Sequence, residues 1–292
     1  MRFSTVRIDG RPRTLLERGG VQIDLAAVAG GDFPAGRALV EALVAGDAAV
    51  GRVVRCAMDG DPTTLPTVAA GAGRRLPPVP DPGQIFAIGL NYLSHCREQG
   101  KEAPAEPLFF SKLVTALVAT GDDIVHWPLT RELDYEGELA VVIGRGGRAI
   151  PEAEALSHVF GYTIMNDVTA RDLQRTDRQW ARAKGMDTFA PMGPVVVTAD
   201  EVPDPQALRI RTWVNGAQLQ DASTAEMTFP VARLIAHVSK TITLRPGDIL
   251  STGTPAGVGV FADPPHFLKA GDEVRIALDG IGELGNRVVA GR

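Results

Sequence analysis

The sequence predicts an α+β protein in which β-structure dominates, and two observations carry that prediction. After Pro82, segments of strand character outnumber segments with helical apolar spacing, and the two kinds do not alternate regularly. This order disfavours a doubly wound parallel sheet. In addition, Asn215-Gly216 and Asp279-Gly280, which are typical of tight hairpin turns, each lie between two strand-like runs.

The chain is predicted to divide at a proline cluster in residues 76–83, which is typical of an extended connector. Residues 1–78 are then a small N-terminal α+β domain, and residues 79–292 are a larger, mainly β domain. The elements expected from apolar periodicity are strands at 2–8, 21–25, 85–88, 116–118, 124–127, 139–143, 159–165, 195–198, 208–214, 217–220, 248–251, 273–278 and 284–289, and helices at 35–44, 151–156, 169–174 and 231–239.

Composition and charge exclude several classes of partner. The formal net charge of the 292 residues is −5, whereas nucleic acids and anionic membranes need a basic surface. Cys56 and Cys96 show neither a disulfide framework nor metal-ligand spacing. Because the sequence also shows no signal peptide and no long apolar span, we expect a protein of the reducing cytoplasm.

Two glutamates precede the most apolar strand of the chain. Residues 134–144 end in a β-branched run closed by glycine, and side chains alternate along a strand, so Glu136 and Glu138 point to the same side. Two neighbouring carboxylates repel each other and are costly to bury. A hard divalent cation, Mg²⁺, Mn²⁺ or Ca²⁺, would relieve that cost. The alternative is an exposed strand end with two solvated glutamates.

Asp167 is a third candidate metal ligand, because it follows directly on the apolar strand at 159–165. The alternative role is the N-cap of the helix expected at 169–174, and that role alone would explain an aspartate at this position.

His95 and Glu98 are the candidate catalytic pair. If they lie on a helical turn, their spacing of three residues places them on one face. A carboxylate on one ring nitrogen fixes the tautomer and raises the basicity of the other nitrogen. The alternative is a surface ion pair. The polar segment 98–107 that follows has the character of a mobile lid, although any surface loop would resemble it.

Two further candidates lie in glycine-rich surroundings. Lys184 precedes a Gly/Pro-rich loop and could face an anion, or it could be a solvated lysine. The turn at 252–259 lacks the lysine of a phosphate-binding loop and does not match a dinucleotide fingerprint, so we exclude nucleotide binding. Its backbone N–H groups or the Thr254 hydroxyl could instead contact a substrate oxygen.

Taken together and in this order, several segments resemble the fumarylacetoacetate hydrolase family. The resemblance extends over residues 85–290, and the ordered set is far more specific than any one segment. The matching segments are 89–92 with His95 and Glu98, 109–112, 134–138, 161–162, 166–167, 169–174, 184–194, 246–248, 252–259 and 267–272.

The family resemblance implies a β-roll catalytic domain behind a small N-terminal domain, and a homodimer. It implies Mg²⁺ or Mn²⁺ at the three acidic ligands and a water-activating dyad on a closing lid. The implied roles are metal ligation by Glu136, Glu138 and Asp167; catalysis by His95, Glu98 and Lys184; and substrate binding by Gln174, Thr254 and Arg171, of which Arg171 could instead brace the site.

The function that the resemblance implies first is hydrolytic cleavage of a C–C bond in a 2,4-dioxo acid or acylpyruvate. Decarboxylation of oxaloacetate-like acids, or isomerisation of 2-hydroxy-dienedioates, would use the same metal–enolate site. A non-catalytic metal-binding protein is the alternative from a different class. The group beyond the dioxo acid stays open between a sugar-acid derivative, an aromatic-catabolism intermediate and a simple acylpyruvate.

Overall fold

The structure, a computed structural model, describes residues 1–69 and 71–292. Strands dominate it, as the sequence predicts. In the described residues they are β1 (Arg2–Ile8), β2 (Arg11–Arg18), β3 (Val21–Asp24), β4 (Thr67–Val68), β5 (Arg74–Leu76), β6 (Ile85–Gly89), β7 (Leu108–Lys112), β8 (Leu117–Ala119), β9 (Ile124–His126), β10 (Leu133–Asp134), β11 (Gly137–Ile143), β12 (Val159–Asn166), β13 (Thr169–Ala170), β14 (Ala190–Thr198), β15 (Arg209–Val214), β16 (Ala217–Ser223), β17 (Ile249–Ser251), β18 (Glu273–Leu278) and β19 (Gly282–Ala290).

The helices are short. The α-helices of the described residues are α1 (Leu25–Ala29), α2 (Arg37–Val44), α3 (Ala48–Asp59), α4 (Leu93–Glu98), α5 (Arg171–Asp177), α6 (Ala181–Gly185) and α7 (Val231–Ser239). Segments of 3₁₀-helix occupy Val114–Ala116, Glu152–His158, Ala199–Glu201, Thr224–Glu226 and Gly259–Phe261, and all but the seven-residue Glu152–His158 are single turns. None of the helices within 1–69 and 71–292 has the length and apolarity to cross a membrane.

In the part of the chain that the structure describes, two large sheets and one strand pair make up the β-structure. The twelve-stranded sheet runs in the order β4-β3-β2-β1-β14-β12-β11-β17-β6-β7, with β5 beside β1 and β8 beside β14. The five-stranded sheet has the order β16-β15-β18-β19-β9, and β10 pairs with β13. Most neighbours are antiparallel, and the helices do not alternate with the strands. The α+β, mainly β prediction is confirmed.

Strand β11 lies at the centre of the large sheet, between β12 and β17. All seven of its residues are buried, because β-branched side chains on both faces pack into core clusters. Its register places Gly137 opposite Asn166. Just outside the two strands, the Asp167 N–H donates to the Glu136 carbonyl at 2.9 Å. The acidic residues at these strand ends are therefore held side by side by backbone pairing.

The N-terminal region shares a sheet with the rest of the chain. Strand β1 pairs with β14 through Arg2–Val197 and Phe3–Val196. The expected connector begins where β5 ends, at Leu76. The division at residue 78 stays a prediction, as do the homodimer and the cytoplasmic location.

Two local predictions have clear outcomes. The Asn215-Gly216 hairpin is confirmed: both residues have positive φ, 51° and 82°, as a type I′ turn requires. The N-cap alternative for Asp167 is wrong, because α5 begins only at Arg171 and is preceded by Ala170, which makes no side-chain cap. Asp167 is thereby free of that local role.

Candidate active site

Three buried carboxylates meet at the ends of the central strands. Glu136 precedes β11, Glu138 is its second residue, and Asp167 follows β12. One ligand oxygen from each lies within 4.8 Å of the others, and all three side chains are buried. The structure brings together the three residues that the sequence predicts as metal ligands.

Buried cations surround two of these carboxylates. The Lys184 ammonium bridges Glu136 Oε2 and Asp167 Oδ2 at 2.7 Å each. Arg171 Nη2 lies 2.6 Å from Glu136 Oε1, and Lys112 Nζ lies 2.5 Å from Asp167 Oδ1. Burial alone would raise the pKa of Glu136, but Arg171 and Lys184 hold it below its ordinary value.

Glu138 is paired differently. Its Oε2 accepts hydrogen bonds from Ser251 Oγ at 2.5 Å and Gly253 N at 2.9 Å. Its Oε1 is buried, and among the described residues it has no hydrogen-bond partner. Burial, and then the charges of Asp167 and Glu136, raise the pKa of Glu138 well above its ordinary value. An orphaned carboxylate oxygen in an all-oxygen donor set fits a hard divalent cation.

The pKa values of the two buried lysines shift in opposite directions, although burial alone lowers both. Burial disfavours the charge of Lys184, yet Asp167 and Glu136 raise its pKa above the ordinary value. Burial lowers the pKa of Lys112, although Asp167 opposes the effect. Lys184 is thus held as a cation beside the carboxylates, whereas Lys112 sits in a more costly position.

His95 and Glu98 form a close pair at the end of α4. His95 Nδ1 lies 2.5 Å from Glu98 Oε1. A carboxylate only accepts hydrogen bonds, so Nδ1 carries the proton and Nε2 is left with the lone pair. Glu98 Oε2 also accepts from Gly257 N at 2.9 Å, which fixes the pair against the glycine-rich turn. The predicted helical spacing of the pair is confirmed.

His95 of the pair and Glu136 of the acidic cluster line one cavity of about 520 Å³. One part of its wall is apolar, formed by residues such as Phe110, Trp180 and Phe261, and the other part is polar and mainly basic. The polar lining residues are His95, Gln99, Lys101, Glu136, Arg171, Gln174, Arg175, Lys184 and Thr254. Such a cavity is complementary to a small organic acid, whose carboxylate would meet the basic side chains and whose carbon chain would contact the apolar wall.

The three predicted substrate-binding residues differ in how many of their hydrogen-bonding groups remain available to a substrate. Gln174 Oε1 accepts from Arg171 Nη1 at 3.1 Å, and this orients its NH₂ group away from the guanidinium. Arg171 Nε also donates to Asp134 Oδ2 at 2.8 Å, so Arg171 braces the acidic cluster. The Thr254 hydroxyl donates to the Gly137 carbonyl at 2.9 Å and has only acceptor capacity left.

Sequence reasoning missed three residues of the site. Lys112 ends a strand and gives no local sign of burial, although its side chain is fully buried. Asp134 accepts from Arg171, Gly259 N and Val260 N and ties the cluster to the cavity rim. Gln99 contacts His95, and its i,i+4 spacing from that residue is the signal that could have revealed it.

Replacing Lys112 by methionine tests the balance of this buried cluster. Lys112→Met leaves Asp167 Oδ1 without its ammonium, and removing one member of a buried pair typically costs about 3–5 kcal/mol. We expect the free energy of unfolding in urea to fall by that amount. Lys240 is exposed, so Lys240→Met should change it by no more than about 0.5 kcal/mol. An unchanged Lys112→Met variant would contradict this account of the cluster.

A comparison with models of protein families identifies the family to which the chain belongs. The family model described as fumarylacetoacetate (FAA) hydrolase C-terminal matches residues 84–289. The chain belongs to the fumarylacetoacetate hydrolase family. The family resemblance of the sequence is thereby confirmed, and the chain is an enzyme of that family by kinship.

Curated relatives in this family carry a specific activity in their names. The chain is 45% identical over 255 residues to the mitochondrial oxaloacetate tautomerase FAHD2A of Bos taurus, covering 87% of this chain and 80% of that one. It is 46% identical over 215 residues to the oxaloacetate tautomerase YisK of Bacillus subtilis, covering 72% and 71%.

Solved structures of the fumarylacetoacetate hydrolase family have the same fold. A fumarylacetoacetate hydrolase from Exiguobacterium antarcticum matches with a TM-score of 0.85 and 38% identity over 100% of both chains. A maleylpyruvate hydrolase from Sphingobium sp. SYK-6, in complex with manganese(II) and pyruvate, matches with a TM-score of 0.80 and 31% identity over 99% of this chain and 100% of that one.

Proposed function

We propose that this protein interconverts the keto and enol forms of oxaloacetate or a closely similar 2-oxo dicarboxylic acid, with the help of a divalent metal ion. The observation that carries the proposal is that His95, oriented by Glu98, lines the same cavity as the buried cations Arg171 and Lys184 and as Glu136 of the acidic cluster. The names of relatives at 45% and 46% identity support the substrate.

The chain's own residues can complete a proton-transfer cycle. His95 Nε2 accepts the proton from C3 of the keto acid as the C–H bond breaks, and the electron pair moves to the oxygen of the 2-oxo group. Nε2 then delivers the proton to that oxygen, which yields the enol and restores neutral His95. Glu98 stabilises the imidazolium formed between the two transfers, and general acid–base catalysis of this kind contributes about 10²–10⁴-fold.

Two cavity residues are placed to bind and stabilise the reacting end of the substrate. The Lys184 ammonium, held charged by Asp167 and Glu136, is suited to stabilise negative charge that develops on the 2-oxo oxygen. The free NH₂ group of Gln174 is suited to donate to the adjacent carboxylate. Glu136, Glu138 and Asp167 would hold Mg²⁺ or Mn²⁺, which supplies Lewis-acid polarisation of the 2-oxo acid.

Hydrolytic C–C cleavage of a 2,4-dioxo acid is the second candidate. The same dyad could deprotonate water instead of carbon. The structural similarity to the maleylpyruvate hydrolase supports this candidate. Hydrolysis splits the substrate and consumes water, whereas tautomerisation conserves its mass, so product analysis separates the two.

The test starts from enol oxaloacetate with full-length protein and Mg²⁺. Loss of enol absorbance is followed together with NADH oxidation by malate dehydrogenase, which consumes only the keto form. We expect enzyme-dependent conversion with no loss of mass. Chelation should slow it by about 10²-fold or more, and added Mg²⁺ or Mn²⁺ should restore it, because metal polarisation is worth several kcal/mol.

Each other outcome of this experiment would indicate a different activity in place of the proposed one. Stoichiometric pyruvate and CO₂ would indicate decarboxylation. Inactivity on oxaloacetate together with pyruvate release from acylpyruvates would establish the hydrolase. Tight metal binding without turnover on either class of acid would favour the non-catalytic protein.

A further inference from the structure

A chain of hydrogen bonds ends on the nitrogen that His95 would use as a base. Lys101 Nζ donates to Gln99 Oε1 at 2.9 Å, and Gln99 Nε2 lies 2.8 Å from His95 Nε2. Because an ammonium only donates, the amide oxygen of Gln99 faces Lys101 and its NH₂ group faces the imidazole. Gln99, Lys101 and His95 all line the cavity.

This arrangement masks the base. Glu98 fixes the proton on Nδ1, so Nε2 holds the lone pair of the neutral ring, and the Gln99 amide donates to it. His95 lines the cavity, and this contact covers the nitrogen that would accept a proton there. The amide must leave before Nε2 can accept a proton from a substrate.

We propose that Gln99 Nε2 and Lys101 Nζ form the receptor for the distal carboxylate of the substrate, and that filling this receptor unmasks His95. Both groups are donors, and Lys101 is exposed and carries its charge on a flexible stem. A carboxylate makes a stronger, charge-assisted hydrogen bond to an ammonium than an amide oxygen does. An arriving carboxylate therefore takes Lys101 from Gln99 and accepts the amide N–H that covered Nε2.

The proposal deepens the proposed function, because it rests on a 2-oxo dicarboxylic acid as substrate. The distal carboxylate of the substrate would then have two roles: it selects dicarboxylic acids over monocarboxylic acids, and it uncovers His95 for proton transfer. Gln99 and Lys101 are, in this account, binding and positioning residues, and His95 remains the catalytic base.

The kinetic test compares oxaloacetate with its 4-ethyl ester, in which the distal charge is absent but C3 stays acidic. The readout is enzyme-dependent exchange of the C3 hydrogens in D₂O. Wild-type protein should favour the diacid by about tenfold or more in kcat/KM, the equivalent of one charge-assisted contact. Lys101→Met should raise KM for the diacid by about tenfold, lower kcat on the diacid toward that on the ester, and leave the ester unchanged.

Gln99→Leu separates masking from binding. It removes the amide that covers Nε2, so kcat on the ester should rise to that on the diacid, while KM for the diacid increases. Lys240→Met is the matched control and should behave as wild type on both substrates. Equal losses on both substrates in Lys101→Met and Gln99→Leu would indicate a purely structural role and would overturn the proposal.

A binding measurement keeps this proposal separate from the reaction. In protein labelled with ¹⁵N-histidine and supplied with Mg²⁺, the His95 Nε2 signal is followed during addition of succinate or of the uncharged succinamide. Succinate should shift the signal toward that of Gln99→Leu; succinamide, and succinate on Lys101→Met, should not. A signal indifferent to succinate would overturn the receptor even if oxaloacetate is turned over. A succinate-dependent shift without turnover would uphold the receptor and reject the proposed reaction.

Discussion

Glu138→Gln is expected to abolish metal-dependent turnover, with a rate loss of about 10²–10³-fold or more, because metal polarisation supplies several kcal/mol. Within residues 1–69 and 71–292, Glu138 Oε1 is the only carboxylate oxygen of the acidic cluster that is paired with neither a hydrogen-bond donor nor a cation. The amide keeps an acceptor for Ser251 and Gly253 but removes the charge that a cation needs. Titration calorimetry with Mn²⁺ should show the loss of binding directly.

The same substitution should leave the metal-free fold intact or more stable. Burial and two neighbouring carboxylates raise the pKa of Glu138, so its charge opposes folding when no cation is present. We therefore expect an equal or higher Tm for metal-free Glu138→Gln. Glu154→Gln, at an exposed glutamate, is the control for both measurements. Undiminished Mn²⁺ affinity in Glu138→Gln would refute the ligand assignment.

His95→Ala is expected to separate catalysis from metal binding. Removal of a general acid–base residue lowers kcat by about 10²–10⁴-fold, whereas the side-chain hydrogen bonds of His95 in the described residues go to Glu98 and Gln99 and not to the acidic cluster. Mn²⁺ affinity should stay at the wild-type value while keto–enol conversion falls toward the uncatalysed rate. His266 is exposed, and His266→Ala serves as the matched control with wild-type turnover.

Glu98→Gln gives an independent view of the same pair. The amide can no longer hold the Nδ1 proton by charge, so the imidazolium formed in the reaction loses its partner. We expect a loss in kcat smaller than that of His95→Ala, with unchanged Mn²⁺ affinity. Full activity in His95→Ala would refute the dyad, whatever the behaviour of Glu98→Gln.

Local sequence patterns predicted the helices, strands and turns that are determined by a few neighbouring residues. The buried run of β11, the amphipathic helix α7 and the Asn215-Gly216 turn each follow from periodicity or turn chemistry within a few residues. Helix α3 and strand β2 were not predicted. The pairing of β1 with β14 joins residues almost two hundred positions apart, and no local pattern encodes such a contact.

The residues of the candidate site likewise fall into those that local sequence predicts and those that only the tertiary fold reveals. Glu136 and Glu138 were predicted as ligands because adjacent buried carboxylates require a counter-charge. Asp167 was predicted from its position at the end of an apolar strand, and the family resemblance implied the same role for all three residues. Lys112 was missed because a lysine at a strand end usually reaches solvent, and only the tertiary fold reveals its burial. The contact between Gln99 and His95 depends on two rotamers, which spacing allows but does not specify.

The pairing of β1 with β14 also bears on the tendency of this chain to self-associate. Without the first strand, the backbone donors and acceptors of β14 near Val196 and Val197 would be left open along an apolar edge. Such edges recruit strands from other molecules. The N-terminal segment therefore acts as a cap on the central sheet, and a fragment shortened to its catalytic part would tend to self-associate through that edge.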